Sequence, residues 1–113
     1  MAGPIPEAWR RAVVRILRTN DPRVIKWTRP ALQRWDADTF GDGQKFEAYD
    51  AMITALEDAN ATGNETTSYP GQSGTFEFFF SFRSKTMYGK IALNQDDLQV
   101  LILSAHKPTK PTL

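Results

Sequence analysis

The chain has no cysteine, a single histidine, and no apolar run near the roughly 18 residues that a membrane-spanning helix needs. Without cysteine there is no disulfide framework, no thiolate nucleophile and no thiolate zinc site, which fits a reducing cytoplasm. The N-terminal MAGPIPEAWRR has no apolar h-region, so a secretory signal is not expected. No Gly-rich nucleotide loop, nucleophile elbow or helical zinc motif is present, so no cofactor, no metal and no small-molecule ligand are expected. A length of 113 residues fits one domain, residues 1–113, with one core and a flexible proline-containing tail at 107–113.

Net charge is also nearly missing, at +1, but the charges are segregated. Residues 1–34 carry eight basic side chains against Glu7 and Asp21, whereas residues 35–66 carry Lys45 against eight acids. A basic N-terminal third suits a polyanion, although arginines spaced along a helix also form an ordinary solvated face.

What is present is a change of period halfway along the chain. Ala8, Trp9, Ala12, Val13, Ile16 and Leu17 recur at helical spacing after Pro6, predicting a helix to about Arg18. RVIKW reads as a short extended or loop segment. Thr28 is placed to cap a second helix with Pro30 in its first turn, running to about Asp38. A third helix is expected over about Gln44–Ala61, with Phe46, Tyr49, Ile53 and Leu56 buried and Gly63 as its C′ residue. GNETTSYPGQSG reads as a loop. TFEFFFSFR (75–83), TMYGKIAL (86–93) and QVLILSAH (99–106) alternate as three antiparallel strands. Helices first and strands second give an α+β class, with N-terminal helices packed on one face of a small antiparallel C-terminal sheet. Trp9, Trp27 and Trp35 are expected in packing.

Strand parity sorts the polar residues. Phe76, Phe78, Phe80 and Phe82 share one face, which the helices cover. A two-residue turn at Ser84-Lys85 pairs Phe82 with Met87, Phe80 with Gly89 and Phe78 with Ile91. By the same rule Leu101, Leu103 and Ala105 face the helices, while Val100, Ile102, Ser104 and His106 share the other face with Tyr88 and Lys90. That register needs an odd loop around NQDD, or a bulge. Glu77, Phe79, Ser81, Arg83, Tyr88, Lys90, Ser104 and His106 then meet on one open face, across strands about 4.8 Å apart.

The stretch MYGKIALNQDDLQVLILSAHK resembles the C-terminal hairpin of MqsR-type messenger-RNA interferases, RelE-like toxins of bacterial toxin–antitoxin pairs. RILRTNDPRVIKWTRPALQRW and FEAYDAMITALED are similar to that family's helix–strand–helix layout and third helix. The resemblance implies a RelE-like fold, RNA as substrate, a cognate antitoxin as partner, a cytoplasmic location and no membrane. It places Tyr88 at the family's active-site tyrosine, Lys90 at the basic residue two positions later, and His106 where the family has a lysine. The family's mid-chain lysine and glutamine have no counterpart here; Gln72 is a poor match.

RNA can be cleaved by its own 2′-hydroxyl given a base, an acid and cations for the phosphorane. His106, Glu77, Tyr88 and Lys90 are the candidate catalytic residues. Arg83, Ser104, Ser81 and Phe79 are the candidate substrate-binding residues, with arginine suited to clamp phosphate and Phe79 to stack on a base. Histidine fits because this residue type titrates near neutral pH. The competing reading is a non-catalytic protein–protein interaction module of immunity, antitoxin-like or phage-encoded type, with Tyr88, Arg83 and Trp35 as contacts. DADTFGDGQKFE (36–47) partly matches a calcium loop through Asp36, Asp38, Gly41 and Glu47, but Phe40 and Gly43 break the pattern, so a turn between helices is expected instead.

Overall fold

Local signals place the first helices. The computed structural model describes residues 2–67, 72–94 and 96–113. After a two-residue strand β1 (Gly3–Pro4), Pro6 stands at the N-cap of α1 (Glu7–Arg18), which buries Trp9, Ala12, Val13, Val14, Ile16 and Leu17. A short β2 (Ile25–Trp27) leads into α2 (Arg29–Asp38), whose cap is Thr28; its hydroxyl accepts from the Ala31 N–H at 3.2 Å. Helix α3 (Lys45–Glu57) opens with the Glu47 carboxylate accepting from the Gln44 N–H at 3.0 Å. No helix among the described residues is long and apolar enough to cross a membrane.

Helix α3 is shorter than its sequence suggests, and its buried stripe differs. Phe46 is 51% exposed, and Ala48 and Met52 join Tyr49, Ile53 and Leu56 inside. Gly63 is not a helix terminus. It lies in β3 (Thr62–Thr66), inside a segment that reads as a loop. Its partners are distant in sequence: β1 on one side, with Gly3 opposite Gly63, and the strand carrying Glu77 on the other. Such pairing leaves no local period. The remaining expected loop residues 68–71, and Gln95 of the NQDD turn, lie outside the described residues.

Among the described residues the sheet has six strands rather than three. With β4 (Gln72–Phe82), β5 (Lys85–Asn94) and β6 (Val100–His106), its order is β1-β3-β4-β5-β6-β2. It is antiparallel except where β2 lies beside β6. The class is therefore α+β as expected, with N-terminal helices and a mainly C-terminal sheet. The phenylalanine face is the covered one. Trp9 packs on Phe76 with ring centroids 4.9 Å apart, and Trp35 on Phe82 at 4.8 Å. Trp9, Trp35 and Phe78 are each at most 5% exposed, so the tryptophans serve the core.

The β4–β5 turn sits one residue earlier than expected. Arg83 and Ser84 form it at φ +51° and +66°, and Phe82 pairs with Lys85. Two positive φ values suit the right-handed twist of a hairpin. The Arg83 guanidinium supports the turn by bonding Asp42 at 2.6 Å and Glu47 at 3.2 Å. Glu47 is held below the usual carboxylate range, first by the Gln44 N–H and then by Arg83. Moving the turn by one shifts the pairing by two residues, so Phe80 meets Met87 and Phe78 meets Gly89. A shift of two keeps every side chain on its face. Gly89 still lies against the Phe78 and Phe80 rings, which a β-carbon would meet at 3.2 Å.

The β5–β6 turn is even, not odd. Asn94 donates to the Gln99 carbonyl at 3.0 Å, with four residues between them. Val100 and Ile102 therefore pair with Leu93 and Ile91 and are buried on the helix side, the opposite of the expected face. Leu101, opposite Ala92, and the bulged Leu103 are each half-buried rather than in the core. The bulge between the Ile91–Ile102 and Lys90–Ser104 pairs then flips the parity. Past it, Ala105 is inside, while Ser104 opposes Lys90 and His106 opposes Tyr88.

Gly63 ties this frame together, because a β-carbon there would stand 2.2 Å from the Glu77 carbonyl oxygen. Gly63→Ala is expected to cost about 1–3 kcal/mol by forcing β3 and β4 apart. Gly3→Ala meets nothing within 4 Å and is expected to be close to neutral. Urea midpoints check this; equal midpoints for the two variants would contradict it.

Candidate functional site

The site is built across three strands. Glu77 and Phe79 come from β4, Tyr88 and Lys90 from β5, and Ser104 and His106 from β6. Phe79, Tyr88 and His106 form one continuous cross-strand row, and Glu77, Lys90 and Ser104 form the next. The Tyr88 hydroxyl donates to Glu77 Oε1 at 2.9 Å, and Asn64 Nδ2 donates to Glu77 Oε2 at 3.3 Å. The Tyr88 and His106 rings lie 5.2 Å apart, tilted by 37°. Seven of the eight predicted residues thus share this face, although Ser81 stands a row further out, opposite Thr86.

Arg83 is the exception. Its turn position and its bonds to Asp42 and Glu47 hold it at the hairpin tip, away from the face. A cation that sequence reasoning missed is present instead. Arg34 of α2 lines a cleft of about 280 Å³ together with Glu77, Phe79, Tyr88 and His106. Nothing local marked it, since its place depends on α2 packing against β6, two distant segments brought together by the β2–β6 pairing.

His106 is 7% exposed yet partnered. Its Nδ1 lies 2.7 Å from the Lys107 carbonyl, an acceptor, so Nδ1 carries the hydrogen and Nε2 is the nitrogen left for chemistry. Lys107 is held from its other side as well, its N–H donating to Asp38 Oδ2 at 2.8 Å. Helix α2 therefore fixes the end of β6 and the pose of the imidazole. Beyond this anchor Pro108, Thr109, Lys110, Thr112 and Leu113 form the remaining wall of the cleft.

The Tyr88 phenol is pushed up, first by burial and then by the hydrogen bond and negative charge of Glu77. It stays protonated at any physiological pH, so it donates a hydrogen bond and positions Glu77 rather than acting as a base. A larger groove of about 710 Å³ lies between α1 and α3, but its four arginines are already engaged. Arg11 pairs with Glu7 and Arg18 with Glu57, while Arg10 and Arg15 donate to the Leu56 and Asp97 carbonyls. The smaller cleft holds the titratable chemistry.

Among the described residues no group of three or more acidic or histidine side chains is placed to hold a metal ion. In the calcium-loop match, Asp36 and Asp38 lie inside α2 rather than in a loop, and the Asp38 and Glu47 carboxylates are taken by the Lys107 N–H and by Arg83 and the Gln44 N–H. Compared with known proteins, the chain matches no family model, and no curated protein or solved structure matches it significantly.

Because burial, and after it Glu77, raises the Tyr88 phenol, its titration is expected above the ordinary tyrosine value of about 10. Glu77→Gln removes the charge, so the phenol's pKa should fall while burial keeps it above the ordinary value. Absorbance titration at alkaline pH, differenced against Tyr88→Phe, checks this; an unchanged midpoint in Glu77→Gln would contradict the hydrogen bond.

Proposed function

We propose that the chain is an endoribonuclease that cleaves messenger RNA by 2′-hydroxyl attack, using its own side chains and no metal. The observation that carries this reading is His106 paired directly with Tyr88, whose hydroxyl holds Glu77, in a cleft that also holds Arg34. Glu77 takes the proton from the 2′-hydroxyl. The oxygen attacks phosphorus, and a 2′,3′-cyclic phosphate forms as the bond to the 5′-oxygen breaks. His106 in its charged form gives that oxygen a proton from Nε2. Arg34 and Lys90 meet the charge of the phosphorane, Arg34 in the place that the sequence alone gives to Arg83. Ser104 and Ser81 are polar contacts along the strand, and Phe79 offers an apolar wall.

The resemblance to MqsR-type interferases adds the setting: a RelE-like toxin acting in the cytoplasm and neutralised by a cognate antitoxin. The non-catalytic binding module is the second reading. It is favoured by the tail residues Pro108, Thr109, Lys110, Thr112 and Leu113, which wall the cleft as a bound peptide would.

Cleavage of RNA in the presence of EDTA is the expected result. His106→Ala and Glu77→Gln should each lower the rate by roughly 10²–10⁴-fold, the range for losing a general acid or base. Arg34→Ala should lower it, and Arg83→Ala should leave it within about twofold at a temperature where that variant is folded. Parent-like cleavage by His106→Ala would rule the assignment out, and intact RNA with the parent protein would favour the binding module.

A further inference from the structure

Phe40 is placed against two physical preferences at once. It is 80% exposed, the most exposed large apolar side chain among the described residues, and its φ is +56°. The backbone position explains the second cost. The Gly41 N–H donates to the Asp36 carbonyl at 2.7 Å and the Phe40 N–H to the Ala37 carbonyl at 3.2 Å. These two bonds form a Schellman motif closing α2, in which Phe40 is the C′ residue. Glycine is the usual C′ residue because an L side chain is strained there, and a bulky one is a clear outlier. Here glycine comes one position late, at Gly41, itself at φ +77°.

The ring is not idle at this position. The Lys107 ammonium lies 5.5 Å from its centroid, and Lys107 is the residue whose carbonyl orients His106. Phe40 is therefore joined to the catalytic end of β6 through one residue. A small 90 Å³ cleft beside it is lined by Asp38, Thr39, Asp42, Arg83 and Lys85 together with the buried Phe82 and Met87, so Phe40 is the one exposed ring of that cleft and its exposed neighbours are polar or charged. A protein partner needs a contiguous apolar patch of several hundred Å². A nucleobase needs one aromatic face and a cation for the adjoining phosphate.

We propose that Phe40 is a stacking platform for an unpaired base of the RNA strand, next to the scissile site, with Lys107 holding the neighbouring phosphate. This rests on the ribonuclease reading above and adds a binding determinant on α2 to it. The strained, exposed ring is retained at the expense of stability because the base covers it.

The experiment uses the full chain and a short single-stranded RNA with 2′-O-methyl groups, which binds but cannot attack its own phosphate. Phe40→Gly should raise the melting temperature by a few degrees, as strain and exposed apolar surface both go. It should weaken binding by roughly 5- to 150-fold, the range for one base on an aromatic ring. Phe40→Leu keeps the strained backbone but has no aromatic face, so it should lose affinity without gaining stability; Phe40→Trp should retain affinity. Parent-like affinity in both Phe40→Gly and Phe40→Leu would overturn the proposal while leaving the ribonuclease reading standing. Failure of the parent protein to bind the oligonucleotide, together with no cleavage of unmodified RNA, would sink both. Intact RNA affinity combined with loss of a co-purifying protein would overturn it in favour of a protein anchor.

Discussion

The place of His106 on the cleft face depends on one extra residue in β6. The four-residue turn after Asn94 places Val100 and Ile102 on the helix side, and strict alternation would send Ser104 and His106 there too. Leu103 breaks the alternation. Without it the imidazole would fall opposite Met87, whose partner on the other side is Phe80, where a buried polar ring without a partner costs several kcal/mol. With it, the strand buries Val100, Ile102 and Ala105 and still presents His106 opposite Tyr88. A bulge of this kind re-aims a side chain while keeping the sheet continuous.

The polar web around that histidine links all the layers of the fold. Asp38 on α2 holds the Lys107 N–H, the Lys107 carbonyl orients His106, Tyr88 lies beside the imidazole, and Tyr88 and Asn64 hold Glu77. Burial, then the hydrogen bond and charge of Glu77, keep the phenol protonated, so in the bond between them Tyr88 donates and Glu77 accepts. Helix α2 contributes more than packing. Its middle supplies Arg34 to the cleft, and its strained terminus presents Phe40 over Lys107. The acidic middle of the chain is partly spent on holding the Arg83 turn, which explains why an arginine near the site in sequence is absent from it in space.

Much of this was legible from the residues. Pro6 and the spacing of Trp9, Val13, Ile16 and Leu17 mark α1, and Thr28 with Pro30 marks the start of α2. The alternating phenylalanines mark the covered face of β4, and alternation also brings Glu77, Tyr88, Lys90, Ser104 and His106 together, provided that β6 carries a bulge. The failures share a cause. Gly63, Arg34, the edge strand β1, its neighbour β3 and the pairing of β2 with β6 take their positions from partners far away in the chain, which a local pattern does not contain. Alternation alone puts Val100 to Leu103 on the wrong faces, because the bulge sits mid-strand, between Ile102 and Ser104, and a run of VLIL is equally apolar on both sides. The Arg83-Ser84 turn lacks the Asn-Gly that its positive φ values usually demand, so the sequence pattern places it one residue late.

The claim that the rest stands on is the flipped parity at Leu103, and through-space proton contacts measure it directly. In a nuclear Overhauser spectrum of the full chain, the account predicts cross-peaks between the Tyr88 and His106 ring protons, whose centroids are 5.2 Å apart, and between Ile91 and Ile102. An unbulged strand would instead keep His106 on the side of Ile102, giving contacts from the His106 ring to Met87 and the core phenylalanines and none to Tyr88. That pattern would contradict the account.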